Sequence, residues 1–243
     1  MSVSMAGLPR EVGVREQVAW LASLGARAVT LDAGVLRARD LDRSARRDVA
    51  SMLRRAQLEL AGVDAWVPPE HFERAETADR AIAAVVGACE LASELAPLVG
   101  GGSRAVVSIM LPGEGAGDAA LASASAAERG GAVVADHAWP VSSRDGIGVG
   151  VDPASVLMGG GDPAAAVSGA GTIASARLSD VSAHGRIAVG DRGSRLDVLA
   201  YQVALSTAGY AGHIVVDPRG VADPERAIRE GLDAFTPPFT PLA

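Results

Sequence analysis

Apolar residues along this chain follow two spacings. Short runs of Val, Ile, Leu and Ala that close on a carboxylate recur through its length: AVTLD ending at Asp32, AVVAD at Asp136, GVGVD at Asp152 and HIVVD at Asp217. Runs so short and so apolar on both faces suit buried parallel strands, which helices cover on either side. Four more segments share the character: SVSMAGL at the start, LELAGVDAW over 58–66, RAVVSIML over 104–111 and IASARL over 173–178. Between the runs the spacing becomes helical. Val18, Leu21 and Ala22 share a face within 15–24, with Gly25 as a C-terminal stop. Val49, Met52, Leu53 and Ala56 align within 44–57 opposite arginines, Ile82, Val86 and Cys89 within 77–95, and Leu196, Leu199 and Val203 within 194–208. The last helix, ADPERAIREGLDAF, opens with Asp223 as N-cap and Pro224 at its first position.

Eight strands alternating with helices in 243 residues predict one (β/α)8 TIM barrel spanning 1–243, with an open doubly wound sheet as the alternative. One unit breaks the rhythm. Only HAWPVSSRDG separates the strand ending at Asp136 from the one near Gly146, and a helical crossover needs about a dozen residues or more. The fifth helix is therefore expected to be missing or shortened. No charge run or Ser/Pro linker marks a domain boundary, and the closing TPPFTPLA reads as a tail that cannot continue a helix.

Composition narrows the chemistry. The chain has no Lys and no Asn, so all 22 basic residues are Arg, which excludes Schiff-base catalysis and a P-loop lysine. A net charge of -7 opposes nucleic acid and anionic membranes as partners. One cysteine, Cys89, allows no internal disulfide and reads as buried packing. The N-terminus lacks the pattern of a signal peptide and no segment approaches membrane-spanning length, so a cytoplasmic protein is expected.

In a barrel the strand C-termini meet at one mouth. Asp136, Asp152 and Asp217 are then candidates for a divalent-metal or acid/base site, because gathered carboxylates need a cation or a proton between them. The alternative is that they cap helices or pair with arginines. Arg177, near the end of the seventh strand, cannot ligate a metal; it could bind an anionic substrate group or neutralise the aspartates. The loop after it, SAHGRIAVGDRG, has glycines at 185, 190 and 193 with His184, Arg186 and Arg192 as donors, and suits either a phosphate or sugar hydroxyl or a solvated connector. His71 follows the third strand at the same face. Trp66 there could stack on a sugar ring or fill the core. His137 can be read either way, and a structural role fits His213.

The order of these motifs resembles the xylose isomerase-like barrel superfamily, the sugar phosphate isomerase/epimerase group that also includes the family-2 apurinic endonucleases. The carrying stretches are VREQVAWLASLGARAVTLDA, LELAGVDAWVPPEHF, ADRAIAAVVGACELASELA, VGVDPASVLMGGGDP, ARLSDVSAHGRIAVGDRG and, most specifically, LSTAGYAGHIVVDPRGVADPERAIREGL. The resemblance implies a Glu, an Asp, a His and a Glu holding one divalent metal, with the two Glu moving a proton at the sugar carbon beside the carbonyl. Those positions fall on Asp136, Asp152, Arg177 and Asp217, so only Asp152 is unchanged; Asp180 keeps the last residue of the usual His-x-x-Asp. Ser155 stands where many relatives have a further His. Two readings follow. One is a sugar or sugar-phosphate isomerase/epimerase in which Asp136 and Asp217 are base and acid, Asp136, Asp152 and Asp217 hold Mg²⁺ or Mn²⁺, and Arg177, His184, Arg186, Trp66 and His71 bind substrate. The other is a non-catalytic relative that has lost the metal and binds a sugar-like ligand or a partner. A small carbohydrate-like ligand is the expected partner, nucleic acid and membrane are not, and such barrels often associate as homo-oligomers.

Overall fold

The structure, a computed structural model, describes residues 1–100, 104–113, 116–140 and 144–234; the TPPFTPLA tail lies outside them. Eight parallel strands close on one another: β1 (Ser2–Ser4), β2 (Ala28–Asp32), β3 (Glu59–Asp64), β4 (Val106–Ile109), β5 (Val133–Asp136), β6 (Gly148–Val151), β7 (Ile173–Leu178) and, after a small hairpin, β10 (Ile214–Val216) beside β1. The hairpin, β8 (Asp180–Ser182) with β9 (Gly185–Ile187), lies in what the sequence suggests is a plain loop. Val3, Val29, Val63, Val107, Val151 and Leu178 are fully or almost fully buried, as strands covered on both faces require.

The helices are α1 (Val14–Ser23), α2 (Arg43–Arg55), α3 (Glu70–Glu73), α4 (Ala75–Val99), α5 (Gly117–Gly130), α6 (Pro153–Met158), α7 (Pro163–Gly169), α8 (Val198–Thr207) and α9 (Pro224–Ala234). Asp42, Asp152, Asp162 and Asp197 each cap the helix that follows through a side-chain oxygen, and Asp223 accepts from the backbone N–H of Arg226 at 3.0 Å. Gly25 takes the positive φ of +86° that ends α1. Between β5 and β6 the described residues form a turn around an Arg144–Ile147 bridge and no helix, in keeping with the short connection.

Two expectations are corrected. α4, 25 residues long and with a mean hydropathy of 1.7 over its most apolar 18-residue stretch, is long and apolar enough to cross a bilayer, contrary to the reading that no segment approaches that length. Here its apolar surface packs on α2, α5 and β3, burying Val85, Cys89, Leu91 and Leu95. On α8 the buried face is Tyr201, Ala204 and Leu205, while Leu199 and Val203 point outward. Its sequence, VLAYQVALST, is apolar all round, so periodicity cannot choose the face.

Candidate functional site

The C-terminal ends of the strands carry polar side chains in two layers. The deeper layer is inside the barrel. Arg177, fully buried on β7, reaches across to β3 and donates through both Nη atoms to the carboxylate of Asp64, also fully buried. Ser4 on β1 donates to the same carboxylate at 2.5 Å. His137 completes the layer: its ring lies over Gly150, where an added Cβ would come within 2.6 Å of three ring atoms, so that only glycine on β6 admits it. Neither ring nitrogen of His137 has a hydrogen-bond partner among the described residues. Burial first, and then the Arg177 cation, hold this imidazole neutral well below its usual range.

Above this layer Asp152 and Asp217, from the ends of β6 and β10, turn their Oδ2 atoms toward a shared spot. Two guanidinium groups fill it. Arg186, on β9, donates to Asp152 Oδ2 and lies 3.6 Å from Asp217 Oδ2. Arg219 places Nη2 at 2.5 Å from Asp217 Oδ2 and 3.5 Å from Asp152 Oδ2, and its Nε at 2.9 Å from Asp217 Oδ1. The remaining lone pairs are also engaged: Asp152 accepts from Ser179 Oγ at 2.5 Å, Ser155 Oγ at 3.0 Å and the Ala154 N–H at 3.2 Å, while Asp217 accepts from the Arg219 N–H at 3.1 Å. Burial alone would raise both carboxyls, but the arginines outweigh it and hold both below the ordinary range. The guanidinium of Arg219 also covers the Trp66 ring, 3.5 Å from its centroid, and Trp66 meets His137 edge to face at 5.4 Å.

Asp136 stands apart from this pair. Its Oδ1 accepts from the N–H groups of Leu111 and Ala138, each at 3.0 Å, and its Oδ2 faces Arg144 Nε at 3.3 Å. Burial raises this carboxyl, outweighing the two N–H groups and Arg144.

No protein-family model and no curated protein matches this chain. Solved structures do. A D-psicose 3-epimerase with D-tagatose from Clostridium cellulolyticum H10 superposes with a TM-score of 0.72 at 13% identity, covering 96% of each chain. The IOLI protein with a binding zinc atom gives 0.72 at 14% identity, over 96% of this chain and 95% of that one. A xylose isomerase-like TIM barrel protein from Mycobacterium smegmatis in complex with magnesium gives 0.65 at 12% identity, over 96% and 97%. The fold is that of the xylose isomerase-like TIM barrels.

Within this xylose isomerase-like barrel the residues expected to act together fall into separate settings. Asp152 and Asp217 meet, while Asp136 is held by Arg144, and no group of three or more His, Cys, Asp or Glu side chains placed for a metal exists among the described residues. Arg177 lies on Asp64 instead of Asp152 or Asp217, with no exposed surface. Arg186 and Trp66 join the cluster. His184, exposed at the hairpin turn, and His71, on α3, make no hydrogen bond or ion pair with it among the described residues; the N–H of His184 donates to Ser182 Oγ and the carbonyl of His71 accepts from Thr77 Oγ1. Asp180 gathers Ser194 Oγ and the N–H groups of Val181, Arg195 and Leu196, fixing the loop that carries Arg186.

Three charged members of the site escape the sequence reading. Asp64 closes the apolar run AGVD just as the four recognised aspartates close theirs, so the signal was present. Arg144 and Arg219 stand in ordinary polar turns, SSRDG and DPRG, with no local mark.

The zinc and magnesium in the neighbours' structures invite a test of fit. These residues do not fit a divalent cation, which needs oxygen lone pairs at about 2.0–2.6 Å. The two Oδ2 atoms that converge are each occupied by guanidinium N–H groups, and a further cation there would face two positive charges.

Proposed function

We propose that this chain is a metal-independent, non-catalytic relative of the sugar isomerase/epimerase barrels that binds a small carbohydrate-like ligand at the barrel mouth. The observation that carries the reading is the engagement of Asp152 and Asp217 by Arg186 and Arg219. Proton transfer beside a carbonyl needs a base whose pKa lies near the working pH and within reach of the carbon. Asp217 is held ionised far below that and hydrogen-bonded on both oxygens, and Asp136 is turned to backbone N–H groups and Arg144. Asp217 has no free oxygen, and Asp136 lies apart from it, its one oxygen without a hydrogen bond among the described residues facing Arg144 at 3.3 Å.

Ligand contact is assigned to the groups that retain exposed surface. Arg219 and Arg186 have 20% and 13% of their side chains exposed, against none for Arg177. They and the partly exposed Trp66 are the floor assigned to sugar hydroxyls, with His71 and His184 outside the hydrogen-bonded cluster. The likeness to barrels solved with D-tagatose and D-fructose supports this ligand class.

The test is a panel of ketoses, aldoses and sugar phosphates titrated into the protein by ligand-observed NMR in D₂O. Binding without deuterium incorporation beside the carbonyl is expected, weakened by Arg186→Gln. Incorporation that Asp217→Asn abolishes would instead establish an isomerase with Asp136 and Asp217 as base and acid.

A further inference from the structure

We infer that Arg219 is the resident cation of the barrel mouth, a built-in guanidinium standing between two carboxylates that the family resemblance would give to a divalent metal, with Arg186 as its counterpart on the same two carboxylates. The inference deepens the metal-independent reading and rests on it. Two carboxylate oxygens from different strands converge, which costs repulsion unless a cation lies between them. The cations present are two single charges against two carboxylates, the same neutral sum that one divalent ion would give.

The chain is shaped around this arginine. Its backbone N–H and its Nε both bond Asp217 Oδ1, which folds the side chain back over the strand end. Gly7, in the loop after β1, has φ +96°, and an added Cβ would lie 2.8 Å from the Arg219 Cα, so the neighbouring loop can close on Arg219 only because this position is glycine. From there the planar guanidinium reaches both Oδ2 atoms on one side and lies flat on Trp66 at 3.5 Å on the other. A guanidinium brings directional N–H donors and no exchangeable coordination position. It therefore cross-links β6, β10 and the loop after β3, and it occupies the ring face on which a sugar would stack.

The experiment uses the full chain and Mn²⁺ as probe, with free Mn²⁺ read by electron paramagnetic resonance and folding by circular dichroism. Wild type is expected to show no saturable binding at millimolar Mn²⁺. The double variant Arg186→Ala/Arg219→Ala is expected to bind at least about tenfold more tightly, because two repelling charges are gone and two carboxylates are freed. Asp152→Asn in that background should remove the gain, and Arg226→Ala, which breaks two surface pairs, with Asp191 and Glu230, should produce none. If the double variant does not fold, Arg219→Gln answers the same question through its thermal midpoint, which Mn²⁺ should raise relative to wild type. A folded variant that gains nothing, or a gain equal to that of Arg226→Ala, overturns the inference and leaves the metal-independent reading standing. Saturable binding by wild type overturns both.

Discussion

Arg177→Met is the most informative perturbation of the interior. It removes a fully buried cation from a fully buried partner, Asp64, and leaves that carboxylate with the Ser4 hydroxyl as its one side-chain hydrogen-bond donor among the described residues, Arg219 acting on it only through its field. Breaking a buried ion pair from one side typically costs about 3–5 kcal/mol, because the surviving charge stays desolvated and uncompensated. In a chain of this length each kcal/mol moves the thermal midpoint by about 2–4 °C, so a fall of about 6–20 °C is expected. Removing both charges, in Arg177→Met/Asp64→Leu, should recover most of the loss, since apolar replacement of a whole buried pair is often neutral or stabilising. Denaturant unfolding of wild type, the two single variants and the double at pH 7 gives the coupling energy directly. A single variant within about 1 kcal/mol of wild type, or simple additivity in the double, would refute the pairing as the reason both charges are tolerated inside the barrel.

Two other outcomes follow from the same layer. His137 is held neutral below its ordinary 6.5 by burial and by Arg177 and Arg219, against the opposing pull of Asp152 and Asp217. A histidine whose folded pKa is depressed stabilises the fold above its unfolded value and loses that contribution as pH falls. Stability should therefore drop below pH 6.5, by up to about 1.4 kcal/mol per pH unit, and His137→Phe should flatten that slope in denaturant melts run from pH 7.5 to 5; parallel slopes would count against it. Gly150→Ala would press a methyl into the His137 ring at 2.6 Å and is expected to cost about 1–3 kcal/mol by the same melts, with His137→Ala restoring part of it.

Much of the barrel is legible in the sequence because parallel strands buried on both faces leave no polar alternation to disguise them. AVTLD and IASARL are strands residue for residue, Ala28–Asp32 and Ile173–Leu178. SVSMAGL shrinks to Ser2–Ser4, the residues that stand in register with β2 and β10. The hairpin at 180–187 is hidden because three-residue strands carry too little period to separate from a glycine-punctuated loop. The site is legible to the extent that strand-terminal carboxylates identify themselves. Which arginine meets which carboxylate is not, apart from the local pair of Arg219 with Asp217, because Arg186 and Arg219 reach Asp152 only when segments far apart in the chain fold over the mouth, and Arg177 points inward to β3 instead of upward.

The central claim is that this mouth is held by guanidinium groups in place of a metal. Metal content of protein purified without chelator, measured by inductively coupled plasma mass spectrometry, tests it most directly. No stoichiometric divalent metal, and a thermal midpoint unchanged by chelator, is the expected result. One divalent ion per chain, whose removal by chelator lowers the thermal midpoint, would contradict it.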